Sequence, residues 1–97
     1  MITLKDGDDD LHTGQYIELQ EGIQKQFTIE VEPAECLTLV TIYCYLGETS
    51  YELSKGTRIF TFITKSVDHG KSVYCKANNI GFDNYKFTQA VKLKVLG

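Results

Sequence analysis

The segment KQFTIEVEP, residues 25–33, sets Phe27, Ile29 and Val31 at alternate positions with Thr28, Glu30 and Glu32 between them. An extended chain sends successive side chains to opposite faces, so a period of two makes a strand with one buried and one wet face. Pro33 has no N–H to give a ladder and ends the run. The same period recurs along the chain. QYIELQ alternates Tyr16 and Glu18 against Ile17 and Leu19. LTLVTIYCYLGE is rich in β-branched and aromatic residues, faces inward with Val40, Ile42 and Cys44 or with the opposite parity, and closes at Gly47. SYEL reads as a short edge strand ended by SKG. TRIFTFIT and SVYCKAN follow, and TQAVKLKVLG sets Ala90, Lys92 and Lys94 against Val91, Leu93 and Val95. Six or seven short strands with turn signals roughly every 8–12 residues, and no amphipathic helix, predict an all-β sandwich.

The chain has 97 residues, enough for one core and not for a second lobe, so residues 1–97 read as a single domain. A domain of this size buries only a little over ~60% of its unfolded surface, and a covalent staple would help it. Hydrophobic content of 42% and charged content of 24% argue for a folded chain rather than a disordered one. The net charge of −3 does not read as a nucleic-acid binder or a binder of anionic membranes. No apolar run approaches the roughly 18 residues that span a bilayer. The opening MITLKDGDDD turns acidic at once and is not a signal peptide, so the expectation is a module excised from a larger protein. Three cysteines suggest an oxidising compartment, and the odd number leaves at least one unpaired within the chain.

DHGKSVYC, residues 68–75, places an Asp and a Gly seven and five residues before a strand cysteine. It resembles the corner between strands E and F of immunoglobulin domains, in the form found in C2-set domains of adhesion receptors. Val73 stands where variable domains carry a corner tyrosine. RIFTF is similar to strand E with Phe60 and Phe62 inward, CKANNIG to the end of strand F, IELQEG to strand A′ and VKLKV to strand G. The resemblance covers nearly the whole chain and implies an immunoglobulin-like β-sandwich of two antiparallel sheets with about seven strands. In that alignment the strand B cysteine is missing and Val31 takes its place. There is no tryptophan, and Cys44 occupies its usual position on strand C. A few C2-set receptor domains show this rearrangement, which implies a disulfide from Cys44 to Cys75 inside one sheet, with Asp68 and Gly70 as structural corner residues. Such a bond would close a loop of about 30 residues and contribute roughly 3 kcal/mol.

Other pairings and sites remain open on the residues alone. Cys44 and Cys75 could be two buried thiols, and Cys36 could be a free thiol, a partner for another chain or a competitor for Cys75. Neither His12 nor His69 sits near a cysteine pair in a zinc pattern. The acidic run Asp6, Asp8, Asp9, Asp10 could ligate calcium, but it lacks the distal bidentate glutamate of an EF-hand and reads as a solvated N-terminal loop. Asp68–His69 has no nucleophile tied to it, so no catalysis, cofactor or metal is expected. If Cys44 and Cys75 face inward, pleating sends Tyr43, Tyr45, Tyr74 and Lys76 outward, with Lys92 and Lys94 beside them. Phe82 and Tyr85, in the GFDNY turn, would extend this face. Tyrosine suits interface hot spots, and in the resembling family this sheet face is a common partner surface. The expectation is a protein-recognition module, extracellular at a cell surface or secreted. It would bind a protein ligand or counter-receptor, with homophily and a membrane-anchored parent left open. Alternatives are an intracellular structural domain with reduced cysteines and, less suited without tryptophan, a carbohydrate-binding accessory domain. The rings could also pack on lysine stems or a neighbouring domain.

Overall fold

The structure is a computed structural model that describes residues 2–32, 40–54, 56–79 and 85–97. The described residues form ten strands: β1 (Ile2–Asp6), β2 (Asp9–Asp10), β3 (Tyr16–Gln20), β4 (Gln24–Val31), β5 (Val40–Leu46), β6 (Thr49–Glu52), β7 (Ile59–Ile63), β8 (Ser72–Asn79), β9 (Tyr85–Phe87) and β10 (Val91–Leu96). They make two sheets. One runs β2-β1-β4-β7 and the other β3-β10-β8-β5-β6, with β9 also paired to β8.

The alternation that predicted the strands is what fills the space between the sheets. Phe27 and Ile29 of β4 and Phe60 and Phe62 of β7 meet Ile42 and Cys44 of β5, Val73 and Cys75 of β8, and Val91 and Leu93 of β10 in one buried cluster. Burying an aliphatic or aromatic side chain of this kind contributes about 1.5–3 kcal/mol, so this interleaving supplies the main drive to fold. Val31, where the resemblance expects a cysteine, is partly buried against the same cluster.

Three features depart from the sequence reading. The first is a pair of strands at the N-terminus where a solvated loop was expected. Ile2 and Leu4 belong to the core, which pulls the segment into β1 against β4. The chain then reverses through Gly7, at φ +64°, into β2. The acidic run is therefore ribbon, and two of its four charges have protein partners: Asp6 lies 2.7 Å from Lys25, and Asp10 lies 3.5 Å from Lys5. Lys5 also reaches Glu30 at 3.1 Å. Its hydrogen bond there raises the Lys5 pKa, and the same bond lowers that of Glu30. Among the described residues no cluster of His, Cys, Asp or Glu is arranged to hold a metal ion.

The second departure is one parallel pairing, β3 alongside β10, with Lys92 opposite Tyr16 and Leu96 opposite Gln20. β3 comes from the start of the chain and β10 from its end, so no tight turn dictates their direction. The third is that TQAVKLKVLG does not run straight. Thr88 and Gln89 interrupt it between β9 and β10. Thr88 Oγ1 takes the Cys75 N–H at 2.9 Å, replacing a ladder bond. Gln89 turns across the gap to the other sheet. Its Nε2 donates to the carbonyls of Leu4 (2.8 Å) and Leu11 (2.6 Å), and its Oε1 accepts from the Leu4 N–H (3.0 Å).

Candidate recognition face

The register of β5, β8 and β9 builds the outer face of the second sheet. Cys44 is opposite Cys75, Tyr45 opposite Tyr74, Tyr43 opposite Lys76, and Lys76 in turn opposite Phe87. Since Cys44, Cys75 and Ala77 are buried, their neighbours point the other way. The Tyr45 and Tyr74 rings stack at 4.9 Å with planes 13° apart, and Phe87 tilts onto Tyr74 at 6.2 Å. Lys76 Nζ sits 5.7 Å from the Tyr43 ring centre and 5.4 Å from that of Tyr45. Ring pairs of this kind contribute about 0.5–1.5 kcal/mol each, and cation–π contacts at exposed sites about 0.5–1 kcal/mol. The rings are therefore held in place before any partner arrives, which reduces the entropy lost on binding.

Of the expected face residues, Tyr43, Tyr45, Tyr74 and Lys76 come together. Lys92 and Lys94 are exposed on the same sheet but at its other side, beside Tyr16 and Glu18 of β3. Tyr85 opens β9, opposite Asn78, rather than lying in a turn. Phe82 and Cys36 lie outside the described residues. Two exposed aromatic residues on the outer face of this sheet were missed: Phe87, 60% exposed, and Tyr16, 62% exposed. Phe87 could have been found as the in-phase partner of Tyr85 in YKF, and Tyr16 as the outward neighbour of Glu18.

Beneath the face, Cys44 and Cys75 are joined by a disulfide with Cα atoms 4.0 Å apart, 31 residues apart in sequence. The corner before β8 is a single 3-10 turn, Ser66–Asp68. Asp68 is buried, accepts the Lys65 N–H at 3.0 Å and lies 3.3 Å from Lys71 Nζ. Gly70, at φ +82°, turns the chain and donates its N–H to Leu93. His69 is not aimed at Asp68; its Nδ1 accepts the Val95 N–H at 3.1 Å. Asp68→Ala removes a cap and a partly buried ion pair, and is expected to cost about 1–2 kcal/mol in urea unfolding. Asp68→Asn keeps an acceptor for Lys65 and should lose less. Equal losses would mean that the Lys65 contact contributes nothing.

Neither a protein-family model nor a curated protein matches this sequence. Solved structures do. The second Ig-C2 domain of human Fc-receptor like A superposes with a TM-score of 0.61 over 99% of this chain and 96% of that one, at 16% identity. The fold is immunoglobulin-like. At that identity the likeness concerns architecture; by chain order and by their places in the second sheet, β5, β8 and β10 correspond to strands C, F and G of such a fold. In this immunoglobulin-like domain the disulfide joins C to F within one sheet instead of joining the two sheets. Among the described residues no helix is long and apolar enough to cross a membrane.

Proposed function

We propose that this immunoglobulin-like domain is a protein–protein recognition module of an extracellular receptor or secreted adhesion protein, and that it binds through the outer face of β5, β8 and β9. The observation that carries the reading is the Tyr45–Tyr74–Phe87 ring series flanked by Tyr43 and Lys76. A stacked aromatic cluster on the outside of a sheet adds little to a core that is already full, while it offers a rigid anchor of the type that dominates interfaces. Lys92, Lys94 and Tyr16 supply a polar rim at one side. The disulfide supports the extracellular reading, since such bonds persist in oxidising compartments.

The test is an array of cell-surface ectodomains probed with the wild-type domain and with the double variant Tyr74→Ser, Phe87→Ser. Binding to any ectodomain captured by the wild type should fall at least tenfold, about 1.4 kcal/mol or more, while Tm drops by the roughly 4–20 °C that two lost ring pairs imply and the domain stays folded at the assay temperature. A ligand held equally well by both proteins would put the interface elsewhere. A large fall in Tm with binding retained would make the rings structural.

A further inference from the structure

Strand β7 ends its sheet: β4 lies on one side, and no described strand lies on the other. The bonds from Ile29 N–H to the Arg58 carbonyl and from Thr64 N–H to the Ile23 carbonyl point the backbone of residues 58 and 64 toward β4. Alternation then points the N–H and C=O groups of Ile59, Thr61 and Ile63 away from β4, along the open edge. Among the described residues none of these groups has a partner on that side. The side chains of Ile59 and Ile63 are 42% and 59% exposed.

Edges of this kind are usually blunted by charge, proline or a bulge. Residues 59–63 have none of these. They also read I-F-T-F-I, the same in both directions about Thr61. Antiparallel pairing of two identical strands about a two-fold axis at Thr61 sets Thr61 opposite Thr61, Ile59 opposite Ile63 and Phe60 opposite Phe62. Every pair is then of like polarity, and no like charges meet. The outward N–H and C=O groups of Thr61 make it a hydrogen-bonded pair, and those of Ile59 and Ile63 fall in step. β-branched and Thr–Thr cross-strand pairs are among the favourable ones.

We infer that β7 is an isologous docking edge for a second copy of this chain, joining the two four-stranded sheets into one continuous sheet. This surface is separate from the aromatic face, so the two proposals stand or fall independently. A five-residue seam lies below the ~1,200 Å² typical of stable complexes, so the association is weak and depends on local concentration.

Sedimentation equilibrium of the full chain carrying Cys36→Ser, which excludes a covalent dimer through that thiol, tests the inference. From about 10 µM to about 1 mM the average mass should rise toward that of a dimer. Thr61 is exposed, so Thr61→Lys and Thr61→Glu should each keep the wild-type Tm within a few degrees. Each alone should be monomeric, because like charges then meet at the two-fold axis. An equimolar mixture of the two should associate, because only this register puts residue 61 against itself. A wild-type chain that stays monomeric throughout overturns the inference. So do single variants that dimerise as the wild type does, and so does a mixture that fails to associate, since that would place any dimer on another surface.

Discussion

Replacing Cys44 and Cys75 together with alanine is expected to lower stability by about 3 kcal/mol, and Tm by roughly 12–24 °C. The estimate rests on the 31-residue separation of the two cysteines. In the loop-entropy model the bond acts on the unfolded chain, which it prevents from expanding. Two readouts follow. The midpoint of urea unfolding should fall, and the m-value should rise, because the reduced unfolded ensemble exposes more surface. The intact protein should titrate a single thiol in denaturant. Three thiols in protein from its native source would instead favour an intracellular domain with reduced cysteines. An unchanged m-value with a large loss of stability would move the effect to the native core, where both sulfurs are fully buried.

Gln89→Leu should cost about as much although it deletes no apolar contact. The Gln89 amide serves both backbone groups of Leu4 on the opposite sheet and the carbonyl of Leu11 just after β2, and Leu4 is completely buried. Without it the Leu4 N–H and C=O and the Leu11 C=O have no replacement. Buried orphaned groups cost about 1–3 kcal/mol each, and partial relaxation should bring the total to about 3 kcal/mol. Gln89→Glu separates hydrogen bonding from packing. At neutral pH its carboxylate can still accept from Leu4 N–H but cannot donate to either carbonyl. The variant should therefore be destabilised at pH 7 and recover as pH falls and the carboxyl gains a proton to donate. Thermal melts across pH measure this directly. A Gln89→Leu protein as stable as the wild type would show that water satisfies the three groups.

These two positions also mark what could be read before the structure. Strand identity and facing followed from pleating alone, because a buried face permits only one parity. Phe27, Ile29, Phe60 and Phe62 all lie on the side their alternation requires. The Cys44–Cys75 pairing was reached through the family resemblance, since three cysteines allow three pairings. The Thr88–Gln89 interruption was hidden for a physical reason. A side chain that substitutes for a strand leaves no periodic trace, and the alternation of Val91, Leu93 and Val95 begins only after the break. β1 was hidden because four aspartates in the next few residues outweighed the short apolar pair Ile2 and Leu4. Phe87 was missed because β9 is only three residues long. The open edge of β7 concerns what fails to lie beside a strand, which no local pattern reports.

The position of the disulfide has a mechanical consequence. A covalent link between neighbouring strands gives tension along the backbone a short circuit from Cys44 to Cys75. A module under load from both sides would then pay out the chain before and after the bond while the 31-residue stretch it closes carries no force. Roughly 100 Å of contour stays locked. That stretch contains β6 and β7, so the strand with the open edge is shielded from extension while β1, β3, β4 and β10 bear the pull.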